Sequence, residues 1–76
     1  MFVELEIICG NGKIKTALIN RNEIFIIAPS SYEYEANKVS DILLKDSGRI
    51  YRVNLPYDEL KEMLLKSSWL LYKDVL

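Results

Sequence analysis

Three groups of residues in this chain have types that could do chemistry. Cys9 is the only cysteine and there is no histidine. A nucleophilic thiol needs a neighbouring base or another group that lowers its pKa, so Cys9 reads as a small buried apolar residue. Asp58, Glu59 and Glu62 could act as general acids or bases, or hold a hard cation. They follow Pro56, however, and acidic residues at a helix start are the ordinary response to the helix dipole. Gly10-Asn11-Gly12-Lys13 superficially suggests a phosphate loop. Such a loop needs its own spacing, a following Ser or Thr, and a strand leading into a helix. Here the four residues join two strands and read as a hairpin turn. The expectation is no catalytic residue, no metal site and no cofactor. An enzyme on this chain would have to work with carboxylates, tyrosines and lysines alone.

Two groups point to binding. Tyr32, Tyr34 and Tyr51 with Lys38, Arg49 and Arg52 could form aromatic platforms flanked by cations, the arrangement that holds single strands, bases or a nucleotide. Glu33 and Glu35 interleave with the tyrosines and would repel phosphates. The second group is Trp69, Leu70, Leu71 and Tyr72. They could cap the core. Four large apolar residues in a row cannot all face one side of a helix, though, and Trp and Tyr are enriched at interfaces. This tail is the expected surface for self-association.

The chain must position these residues with little material. Its 76 residues make one domain, residues 1–76, near the lower limit for a self-sufficient core. One cysteine forbids an internal disulfide, so association is the remaining source of extra stability. Ten Lys and Arg against eleven Asp and Glu leave a net charge of −1, which removes the simplest argument for nucleic acid. The first residues lack the basic start of a signal peptide. No apolar run approaches the roughly 18 residues of a membrane span. A cytoplasmic protein without a membrane partner is expected, and an unpaired cysteine suits a reducing compartment.

Residues 2–9 alternate as a strand, with Val3, Leu5 and Ile7 on one face and Glu4 and Glu6 on the other. Residues 13–19 are the return strand, with Ile14, Thr16 and Leu18 expected inward. That places Lys13 and Lys15 outward, across from the glutamates. Asn20-Arg21-Asn22 is a turn. Residues 23–28 form an isoleucine-rich run that reads as a central strand covered on both faces, ended by Pro29. Residues 32–38 are a short strand or hairpin rim with a turn at Ala36-Asn37-Lys38. Residues 39–45 and 49–54 form a hairpin around Asp46-Ser47-Gly48, with Tyr51 and Val53 inward and Arg49 and Arg52 outward. Leu55-Pro56 opens a helix whose stripe is Leu60, Met63, Leu64, Ser67 and Leu71. The helix is expected to stop near Ser67-Ser68 or run through to Lys73. The fold class is α+β: a small curved antiparallel sheet of about five strands with one C-terminal helix.

Residues 19–65 resemble the FlbD-like (SwrD-like) family of small bacterial flagellar regulators. The resemblance is carried by Ile19-Asn20-Arg21-Asn22-Glu23-Ile24-Phe25-Ile26, then Val39 to Leu44, then Asp46-Ser47-Gly48-Arg49-Ile50-Tyr51-Arg52-Val53, and Tyr57-Asp58-Glu59-Leu60. Residues 32–38 and 69–76 depart from it. The resemblance implies a small regulatory or binding module and carries no catalytic residues over. The chain is expected to be a non-enzymatic bacterial or phage protein that forms a homo-oligomer and binds a protein partner. A nucleic-acid or nucleotide-binding module, including a phage-encoded inhibitor, and a small structural part of a phage assembly are the alternatives.

Overall fold

A computed structural model describes the backbone of residues 1–75 and the side chains of residues 1–66. The strands are β1 (Phe2–Ile8), β2 (Ile14–Asn20), β3 (Ile24–Tyr34), β4 (Asn37–Leu44) and β5 (Ile50–Val53), followed by α1 (Tyr57–Val75). All pairings are antiparallel and the strand order is β2-β1-β5-β4-β3. The expected α+β layout is therefore observed. The sheet does not close: β2 and β3 are its two edges, yet only a 3-10 turn, Arg21–Glu23, separates them in sequence. Asn20 starts this turn, its side chain accepting from the Asn22 amide. Such a short link between opposite edges requires the sheet to curve strongly.

One face of the curved sheet is the core. Val3, Leu5 and Ile7 of β1 pack with Ile19, Ile42 and Val53, and Leu60 and Leu64 of α1 cover them. Each such side chain contributes roughly 1.5–3 kcal/mol when taken fully from water. Ser40 lies on the same face, fully buried, and its hydroxyl donates to the Leu55 carbonyl at 2.7 Å. That bond ties β4 to the segment entering the helix. Pro56 then takes the helix-start position, with the Leu60 amide donating to its carbonyl at 3.0 Å. Met63, placed on the apolar stripe by spacing, is instead exposed. Among the described side chains of α1, Leu60 and Leu64 are the ones buried in the core. The helix backbone runs past Lys73, while Ser67 and Leu71 lie outside the described side chains.

Several strand expectations are corrected. In β2 the inward residues are Ala17 and Ile19, while Leu18 is 66% exposed. Ile14, Thr16 and Leu18 thus face out. The pairing is the cause: Leu5 meets Ala17 and Val3 meets Ile19, so Glu4 and Glu6 meet Leu18 and Thr16, and Lys15 meets Ile7. No Glu–Lys ladder forms. The isoleucine-rich β3 is an edge, and the short β5 is the central strand. Pro29 does not end β3, because at an edge its missing N–H removes no ladder bond; the strand runs on to Tyr34, with register shifts before Ile26 and after Pro29. The turn into β4 is at Glu35 and Ala36, both at positive φ (48° and 65°), one step earlier than expected.

Candidate functional site

The pleat sends alternate residues of each strand to the face opposite the core. In β4 and β5 these are Asp41, Leu43, Ile50 and Arg52, as fixed by the pairs Asp41–Arg52 and Leu43–Ile50. Ile26 pairs with Leu43, so Ile26, Leu43 and Ile50 form one apolar row across β3, β4 and β5. Ile50 is 69% exposed and Ile26 48%. No sequence reading singled out this row. Only Ile26 lies in a run, residues 23–28, whose composition implied two covered faces. The structure covers one of them.

The neighbouring row is Ala28–Asp41–Arg52–Ile8, with the charged pair at its centre. Arg52 Nε lies 3.4 Å from Asp41 Oδ1, and its guanidinium sits 4.4 Å from the centre of the Tyr32 ring. Both interactions hold the arginine flat against the sheet. Next to it, Asn54 Nδ2 donates to Glu6 Oε1 at 3.1 Å, joining β1 to the end of β5. Tyr34 donates its hydroxyl proton to the Gly12 carbonyl at 2.9 Å, so the far end of β3 bends over to the β1–β2 turn. Lys38 pairs with Glu33 across the β3–β4 hairpin.

The predicted ligand surface is thus not one surface. Tyr32 and Arg52 meet on the outer face. Tyr51 pairs with Ile42 on the inner face and packs against the core, where it accepts a bond from Arg49 Nη1 at 3.4 Å. That bond and the favourable field of the phenol oxygen hold the Arg49 proton more firmly than usual. Tyr34 has its hydroxyl engaged at Gly12, and Lys38 stands opposite an acid. An anionic ligand would meet Asp41, Glu33 and Glu6 beside the cations it needs. The interface residues Trp69, Leu70, Leu71 and Tyr72 lie outside the described side chains.

The other candidates resolve simply. Gly10-Asn11-Gly12-Lys13 is the hairpin turn, closed by Gly12 donating to the Cys9 carbonyl at 2.9 Å and Cys9 donating to the Lys13 carbonyl at 2.7 Å. Gly12 has φ +81°, which glycine adopts without strain. Cys9 is a half-buried free thiol at the end of β1. Asp58 and Glu59 occupy the first turn of α1. Among the described residues no three His, Cys, Asp or Glu side chains are placed to share a metal ion, and no helix is long and apolar enough to cross a membrane. At the rim, Glu23 is hydrogen-bonded to Asp46; that bond, partial desolvation and the repulsion between the two carboxylates raise the Glu23 pKa, with Lys45 opposing.

No family model matches this chain, and no curated protein and no solved structure matches it either.

Proposed function

We propose that this chain is a small non-enzymatic binding module that self-associates and docks a protein partner on the outer face of its sheet. The observation that carries the reading is the Ile26–Leu43–Ile50 row. Three aliphatic side chains in cross-strand register make an apolar strip, and residues 24–28 of β3 carry the composition of a strand covered on both faces. The chain covers the inner face with α1 and leaves the strip to water. The charged pair beside it, Arg52–Asp41 with Tyr32, supplies a rim of the kind that surrounds a protein interface. The absence of histidine and the single cysteine favour binding over catalysis. The regulatory part of the reading rests on the resemblance to FlbD-like flagellar regulators, and the self-association part on the apolar pattern of residues 69–72.

The test compares wild type with Ile50→Glu as bait in the same lysate. Because Ile50 is exposed, the variant should melt within about 0.5 kcal/mol of wild type. It should lose a protein that wild type retains. If both baits retain the same proteins, the strip is not the docking surface. A nucleic-acid reading has one observation in its favour, the Arg52–Tyr32 stack. It requires salt-sensitive binding to single strands that Arg52→Ala removes.

A further inference from the structure

We infer that the second copy in this protein's self-association is held through β2, paired antiparallel with β2 of its partner about a two-fold axis at Ala17. The inference rests on the self-association reading above and says which element carries it. The two edges of the sheet are not alike. β3 is blunted by Pro29, which has no N–H, and by two register shifts. β2 has seven residues in unbroken register with β1, contains no proline and no bulge, and carries a single charge, Lys15.

The direction of its free backbone groups follows from two bonds that flank the strand. Cys9 donates to the Lys13 carbonyl, and Arg21 donates to the Met1 carbonyl. Odd-numbered residues of β2 therefore turn their amides and carbonyls toward β1, and the alternation of an antiparallel ladder turns those of Ile14, Thr16, Leu18 and Asn20 to the open side. A second β2 centred on Ala17 pairs Ile14 with the partner's Asn20 and Thr16 with the partner's Leu18. All four outward-turned residues then find a partner. Ala17, the smallest residue of the strand, falls at the axis, where two backbones approach most closely.

The side chains agree with this register. Ile14, Thr16 and Leu18 stand on the outer face, and in the pair each Leu18 lies diagonal to the other Leu18 and to Ile14 of the second copy, within reach for apolar contact. This gives cover to Leu18, which water now surrounds. No charged residue of β2 meets another: Lys15 falls opposite Ile19, near the strand's end, where its ammonium stays in water along an aliphatic stem. Glu4 and Glu6 on β1 are set back one strand from the seam and stand away from their copies. A partner of a different sequence would need to match this pattern; a second copy matches it by construction. The product is one continuous ten-stranded sheet, two five-stranded sheets joined edge to edge.

Sedimentation velocity over a concentration series tests it on the full chain. Wild type should shift from one to two chains per particle as concentration rises. Leu18→Lys places two ammonium groups at the seam, and Thr16→Pro removes an amide that the free chain does not use; both should stay monomeric with an unchanged circular dichroism melt. In a Cys9→Ser background, Ala17→Cys should form a disulfide-linked dimer on mild oxidation, since paired positions at the axis lie within disulfide reach. A wild type that stays monomeric at every concentration overturns both this inference and the self-association reading. A dimer that survives Leu18→Lys and Thr16→Pro but is lost on deleting residues 69–76 overturns this inference alone.

Discussion

Ser40 and Asp41 are adjacent in β4 and live in different worlds. Ser40 points to the inner face in a row with Val53 and Ile7. It is fully buried, and its one hydroxyl proton is committed to Leu55. Asp41 points to the outer face in a row with Arg52 and Ile8. It pairs at 3.4 Å with a partly exposed guanidinium, and the two facing atoms, Asp41 Oδ1 and Arg52 Nε, lie out of water without a hydrogen bond. One face holds the core and a satisfied hydroxyl, and the other holds a loosely joined charged pair beside the buried Ile8. The lesson is that polar groups on the two faces have unequal stakes: breaking a bond that is made leaves its partner unsatisfied, and a pair that makes none has less to lose.

The comparison breaks most easily at the core. Leu60→Ala removes the fully buried anchor of α1 and should cost about 2–5 kcal/mol in urea unfolding. In a chain this small that is much of the total stability. A loss below about 1 kcal/mol, by the same scale, would mean that α1 is not the lid of this core. Ser40→Ala comes next. It leaves the Leu55 carbonyl without its donor in a part-buried site and should cost about 1–3 kcal/mol.

The outer face should respond less. A double-mutant cycle on Arg52→Ala and Asp41→Ala should return a coupling no larger than about 1 kcal/mol, shrinking with added salt. A coupling above that of the Ser40 change would reverse the ranking of the two faces. The smallest effect belongs to the rim. The Glu23 pKa lies above its ordinary value of 4.5. The proton shared with Asp46 thus adds stability that is fully present below the unfolded value and fades as pH rises through the raised one. Glu23→Gln should flatten that part of the melting-temperature profile. A wild-type profile without a fall as pH rises there would remove the carboxyl pair from the account.

Much of the architecture was readable along the chain because it depends on neighbours. Alternation in Val3-Glu4-Leu5-Glu6-Ile7 marks β1 and its buried face. Gly10-Asn11-Gly12 marks the first hairpin, and Leu55-Pro56 before Asp58 and Glu59 marks the helix start. The candidate surface was less readable. Tyr32 and Arg52 do meet, but Tyr51, one residue from Arg52, is carried to the other face by the pleat. Ile26, Leu43 and Ile50 have no mutual signature, since their alignment exists only once three strands are in register.

The sequence by itself determined the kinds of elements, their order and the absence of a histidine, a cysteine pair or a phosphate loop from its chemistry. Tertiary structure decided which way β2 faces. Ile14-Thr16-Leu18 and Lys15-Ala17-Ile19 are both plausible inward sets, and a one-residue change in pairing exchanges them. The five residues between β1 and β2 set that pairing and put Leu18 outside. Tertiary structure also decided that β3 would be an edge. Being central or peripheral depends on where distant strands lie, and β1 takes its place beside β5 through residues more than forty positions away in the chain.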